Sequence, residues 1–246
     1  IVGHLHSVND VPAWRDAYNE MLPEVSRFYA ELGQNLKLFE KYKALRDSAE
    51  YATLSVEQKK VVDNEVRDFR LSGAELPEDQ KPRFQAIMEE LSQLSAKFSE
   101  NLLDATNAFA EIVTDEALLA GLPDDAKQAA KTAAEKAGVE GWRFSLQAPS
   151  YGPVMQYADN RELRKKMAIA SGAKAFRNNE HDNRENVLQI AKLRFERANL
   201  LGYQTHAHFV LEERMAQTPE KVKTFLQELL EKAKPAAQRE FVQLTN

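Results

Sequence analysis

The sequence predicts a mainly α protein with one small β ribbon, and three observations carry that expectation. Apolar residues recur at three-to-four spacing along almost the whole chain, the period of a helix with one covered face. Ser, Thr and Pro stand where these segments begin and Gly where they end, which is the punctuation of capped helices. Clear alternation of apolar and polar residues, the mark of a strand, occurs in WRFSLQ at 142–147.

Residues 11–32 form the first predicted helix, with Trp14, Tyr18, Met21, Val25 and Phe28 on one face and Pro23 as an expected kink. A second runs from Leu36 to Tyr51, aligning Leu38, Tyr42 and Leu45. A third opens at Ser55, where Gln58 completes a capping box, and stops near Gly73. The strongest period follows Pro77, with Phe84, Ile87, Met88, Leu91, Leu94, Phe98, Leu102, Ala105 and Phe109 on one side. That element is predicted to be roughly 50 Å long at 1.5 Å per residue, and such a helix needs others packed along it.

The strand at 142–147 finds its predicted partner in EIVT at 111–114, with an alanine-rich helix from Pro123 to Ala137 in the connection. Pro149 is expected to end the strand and Ser150 to cap a helix that begins at 151–157 and continues through Leu163 and Met167. The polar run SGAKAFRNNEHDNREN at 171–186 reads as an exposed loop. Helices at 186–201, ended by Gly202, and at 205–214 follow. The last starts with Thr218 as N-cap and Pro219 at the first position, carries Val222, Phe225, Leu226, Leu229, Leu230 and Ala233, and is expected to bend at Pro235. Phe241 and Leu244 prolong its apolar face, part of which is expected to pack on Val187, Ile190 and Leu193. No linker, repeat or low-complexity block divides the chain, so 1–246 is predicted to be a single helical portion.

Composition narrows the function classes. With 246 residues, 43% hydrophobic and 29% charged, the chain is globular and not disordered. A net charge of -5 without a basic stripe argues against nucleic acid as a partner. The absence of cysteine excludes disulfides and thiolate metal sites and fits a reducing compartment, so the predicted location is cytoplasmic. No apolar run reaches the length of about 18 residues that a membrane span requires. The opening IVGHLHSV has neither an initiator Met nor a signal-peptide pattern and reads as a chain already in progress.

Chemistry-bearing candidates are few. None of His4, His6, His181, His206 and His208 is followed by Glu, so the H-E-x-x-H zinc signature is absent. On a helix His206 and His208 point to nearly opposite sides, whereas His208 and Glu212 share a face; two ligands do not make a zinc site. His181 and Asp182 read as a solvated pair within the polar loop. Ser150 lacks the flanking glycines of a nucleophile elbow, which favours a cap over a catalytic hydroxyl. In the basic cluster Arg161, Arg164, Lys165 and Lys166, the four-residue offset of Glu162 and Lys166 favours an ordinary solvated helix face.

Function enters through longer stretches. RDFRLSGAELP at 67–77, FSENLLDATNAF at 98–109, VTDEALLAGLP at 113–123 and PSYGPVMQYADNRELRKKM at 149–167 resemble the N-terminal part of the oligopeptidase A group of zinc peptidases. That group belongs to the thimet oligopeptidase and dipeptidyl carboxypeptidase family, and LLGYQTHAHFVLEERMA at 200–216 is similar to both bacterial branches. The resemblance implies a helical, two-lobed enzyme with a deep channel that admits short peptides. It also implies zinc in the full-length enzyme, held by H-E-x-x-H and a further Glu beyond the end of this chain. This fragment is therefore expected to hold no catalytic or metal residue, to need the missing catalytic portion as its partner, and to be inactive by itself; no substrate-binding residue is assigned. Gly152 and Ala168 depart from the residue sizes usual in the family. The alternative reading is a non-catalytic helical module that binds peptides or proteins.

Overall fold

The computed structural model describes residues 1–245, in which twelve α-helices, one short 3-10 turn and a two-stranded ribbon occur. The chain forms two compact units, one of Ile1–Gln93 with Ile190–Asn246 and the other of Leu94–Gln189.

The first unit contains α1 (Val2–Val8), α2 (Pro12–Gly33), α3 (Leu36–Arg46), α4 (Ala49–Thr53), α5 (Val56–Leu71), the opening half of α6 (Lys81–Ala108), the closing part of α10 (Arg184–Leu200), α11 (His206–Leu211) and α12 (Pro219–Thr245). Ser55 and Gln58 form the expected capping box at the start of α5, each satisfying a backbone N–H that the first turn leaves open. The core gathers Phe39, Val66, Phe69 and Ala74, with the Phe39 and Phe69 rings 5.7 Å apart. On α6, Phe84, Ile87 and Leu91 are buried as well. Where α2 ends, a Cβ on Gly33 would lie 2.6 Å from the Ser72 Cβ, so only glycine permits that approach.

One element in this unit was not expected, and two expectations change. The opening residues form a helix, α1, whose His6 ring stacks at 4.5 Å on Tyr18 of α2. The predicted helix at 36–51 breaks at Asp47 and Ser48, because the Ser48 hydroxyl accepts the Tyr51 N–H and starts α4 afresh. The helix predicted at 205–214 ends at Leu211. Pro23 and Pro235 both lie within single assigned helices, and α6 at 28 residues spans about 42 Å.

The second unit holds the rest of α6, β1 (Glu111–Val113), α7 (Asp124–Lys136), β2 (Trp142–Phe144), α8 (Ala148–Tyr157) and α9 (Arg161–Gly172). The ribbon is antiparallel, with Glu111 opposite Phe144 and Val113 opposite Trp142. Gly141, at φ +97, leads into β2 so close to Val113 that a Cβ would fall 2.3 Å from its carbonyl oxygen. Leu119, Phe144, Val154 and Met167 are the fully buried centre of the core.

Here too local chemistry corrects the sequence reading. Pro149 does not end the strand; it sits in the first turn of α8, where its missing N–H costs nothing. Ser150 is no cap, since its hydroxyl accepts the Ser145 N–H at 2.9 Å and ties the strand's exit to the helix. The predicted continuous helix from 151 through Met167 is interrupted at 158–160, where Asn160 accepts the Leu163 N–H and starts α9. The 171–186 run is helix at both ends, and between them its backbone is pinned as described below.

Candidate functional site

Among the described residues each unit carries a cavity large enough for a small ligand or a few side chains. In the first unit a space of about 380 Å³ is enclosed by α2, the end of α5, α6, α10 and α11. Serines 26 and 92 give it a polar wall, joined by a 3.0 Å hydrogen bond, while Phe84 and Phe209 make apolar ones. Arg197 enters from α10 with its guanidinium 4.6 Å from the Phe209 ring centroid, and its Nη1 donates to the Met88 Sδ at 3.3 Å. Burial, and secondarily the Arg194 charge, pushes the Arg197 guanidinium below its ordinary pKa. His206 also stacks on this aromatic group, its ring 6.1 Å from Phe209. Burial and then the charges of Arg197 and Arg194 hold its pKa below the usual imidazole value, so the ring is kept neutral.

In the second unit a space of about 450 Å³ has almost wholly apolar walls, among them Phe98 and Leu102 of α6, Phe176, Val187 and Leu188. Phe176 is well exposed and is held under the Arg184 guanidinium at 5.2 Å. The loop that carries it is a rigid construction. Ala175 and Asn178 adopt left-handed backbone at φ 54 and 53, a conformation non-glycine residues take only when their surroundings impose it. Asp182 imposes it by accepting the N–H groups of Asn178 at 2.6 Å and Arg184 at 2.9 Å, and the Arg184 side chain as well. The Arg184 donors, side chain first and backbone second, bring the Asp182 carboxyl down to about 2. Buried Asn183 donates to the Phe98 carbonyl and accepts from Asn101, both at 3.0 Å.

The remaining feature is a bare surface. No residue of α12 is buried, and Phe225, Leu226, Leu229, Leu230, Phe241, Val242 and Leu244 are all more than half exposed. Cover from Ile190 and Leu193 is not realised: Leu193 is fully buried while the α12 face it was expected to meet stays open.

The candidates taken from the sequence are scattered among these features and do not converge. His208 Nδ1 pairs with the Thr205 hydroxyl at 2.8 Å and not with Glu212, because Thr205 caps α11. His6 lies 3.3 Å from Asp10, His4 is exposed, and His181 faces Glu180 at 3.6 Å while its neighbour Asp182 serves Arg184. In the basic cluster Glu162 pairs with Lys165, whereas Lys166 reaches Glu111 on β1 at 2.5 Å and Arg164 donates to the Ala158 and Asp159 carbonyls. Among the described residues no three His, Cys, Asp or Glu side chains come together as a metal-binding group. The residues that sequence reasoning missed are Arg197, Phe209 and Asn183. Arg197 sits on α10 like any solvated arginine, and only Asn183, in an Asn- and Asp-rich run, had a signal in the turn-forming habit of those side chains.

Comparison with known proteins locates the chain. Residues 1–81 match the family model described as neurolysin/thimet oligopeptidase, N-terminal domain, and residues 154–246 match peptidase family M3. Oligopeptidase A of Haemophilus influenzae is 42% identical over 247 residues, covering 99% of this chain and 36% of that protein. Oligopeptidase A of Escherichia coli gives the same identity and coverage. Dipeptidyl carboxypeptidase of Salmonella typhimurium is 27% identical over 98% of this chain and 35% of its own length. The chain thus spans about a third of the length of the curated relatives it matches.

Proposed function

Because the chain belongs to peptidase family M3 and is homologous to the N-terminal region of oligopeptidase A, we propose that it forms the channel wall of a zinc-dependent oligopeptidase that hydrolyses short peptides. One observation carries this reading: 42% identity runs through 99% of this chain yet reaches 36% of the relative. The catalytic zinc is assigned to the portion of the longer protein outside residues 1–246. Bound there, zinc supplies an activated water and a polarised peptide carbonyl. This chain contributes scaffold and wall, with a cytoplasmic location and short peptides as the ligands.

The apolar face of α12 is assigned to the same longer protein. A contiguous apolar surface calls for cover, and Phe225, Leu229 and Phe241 have none within their own unit. We therefore assign the catalytic portion as its cover. The bare face also favours a second reading, a helical module that binds peptides or proteins without catalysis. Reading the gene past Asn246 separates the two: a downstream H-E-x-x-H supports the peptidase, and a stop codon supports the module. The purified 246-residue chain should bind no stoichiometric zinc and cleave no fluorogenic peptide, while the longer protein should cleave it in a chelator-sensitive way. Chelator-sensitive cleavage by the short chain would overturn the division of labour.

A further inference from the structure

We propose that the cavity of the first unit is a binding site for a monovalent carboxylate, seated on the Arg197 guanidinium. Arg197 is a largely desolvated cation that no acidic side chain of the described residues neutralises. Its acceptor is the Met88 thioether, a weak one, and its Nε is shielded from solvent with no acceptor at all. A desolvated charge without a counter-charge is costly to maintain. The nearby carboxylates do not pair with it: Glu196 is held by Arg83 through two 2.6 Å bonds, Asp68 by Arg67 at 2.7 Å, and Glu213, which also borders the cavity, is exposed to solvent.

The surroundings suit an incoming carboxylate. The guanidinium lies over the Phe209 ring, a pairing that leaves its in-plane N–H groups free to meet a carboxylate side-on. Ser26 and Ser92 line the same space as a polar relay, Ser26 donating to Ser92 and Ser92 to the Met88 carbonyl, and Phe84 offers an apolar wall for the rest of the molecule. His206, kept neutral, adds no competing charge, and its buried Nδ1 lacks a partner of its own. Asp68 and Glu213 on the same lining repel an ion of higher charge, which selects a carboxylate over phosphate. The carboxylate can come from a free small molecule such as a short peptide's C-terminus, or from a side chain elsewhere in the longer protein.

The test is a titration of the 15N-labelled 246-residue chain with N-acetyl-dialanine, its C-terminal amide and inorganic phosphate, following the backbone amides of Met88 and Phe209. The free acid should shift both saturably, with the amide and phosphate binding about tenfold more weakly, the effect of losing one charge-assisted contact. Arg197→Gln should lose the acid response, and Arg194→Gln, a change at an exposed position, should keep it. Equal affinity for acid and amide, or no saturable shift for the acid, overturns the proposal without any variant, so a misfolded Arg197→Gln leaves it decidable. Repeating the titration on the longer protein identifies the source. A retained response means a soluble ligand, and a response seen only in the 246-residue chain means that the rest of the polypeptide supplies the carboxylate. Only this last arm rests on the peptidase reading, which can fail while the acid and amide still differ.

Discussion

Helices α6 and α12 have nearly the same length, 28 and 27 residues, and both repeat apolar residues every three or four positions. Their fates differ completely. α6 buries Phe84, Ile87 and Leu91 in one unit and Asn101 and Thr106 in the other, whereas α12 buries nothing. The period of a helix states that one face needs cover; it does not state what provides it. For α6 the cover comes from residues 1–245, and for α12 it is assigned to a portion of the longer protein.

The widest contrast should appear in hydrogen exchange. Residues 84–91 are expected to exchange at least about a thousandfold more slowly than residues 236–245, since opening the first requires disrupting a core and fraying the second does not. Equal protection of the two segments would break the comparison and favour a finished interaction module.

Truncating side chains sharpens it. Ile87→Ala should cost about 3 kcal/mol in urea unfolding, as buried aliphatic losses do, while Leu229→Ala in the 246-residue chain should stay within about 0.5 kcal/mol. In the longer protein Leu229→Ala should become costly by about 2 kcal/mol, and an unchanged value there would leave α12 without its assigned cover.

Polar pinning gives the next effect. Asn183→Ala removes the bonds to Asn101 and the Phe98 carbonyl and leaves buried groups unsatisfied, so a loss of about 2 kcal/mol is expected, with faster exchange at 173–183. An effect confined to α12 would contradict the account of a rigid loop.

The two units should also respond to acid differently. Asp182 has its pKa lowered to about 2, so its contribution is full above its ordinary 3.8 and is lost as pH falls from there through about 2. His206 has its pKa lowered too, but as a base: the fold prefers the neutral ring, so stability is full above about 6.5 and declines as pH drops below that value. Asp182→Asn should remove the lower transition from exchange at 173–183, and His206→Gln should flatten the upper one in urea melts of the first unit. Among the charged groups the smallest effect belongs to the exposed Arg83–Glu196 pair, where Arg83→Ala should cost less than about 1 kcal/mol despite its short bonds.

By itself the sequence determined the helical class, the ribbon and its partner strands, the capping box at Ser55 and the long α6, because each follows from spacing or from a side chain acting on its own backbone a few residues away. It also carried the resemblance to oligopeptidase A, through stretches long enough to be specific. Tertiary structure alone decided where competing local signals would win. Ser48 and Asn160 broke helices whose apolar period continued past them, because a side-chain oxygen at a potential first turn competes with the next helical hydrogen bond and only packing arbitrates. Ser150 was turned from a cap into a link to the Ser145 N–H in the same way. The cavity could not be read from the chain at all, since Met88 lies 109 residues from Arg197 and an arginine's environment depends on which helices close over it. Periodicity is a property of neighbours along the chain, while desolvation is a property of neighbours in space.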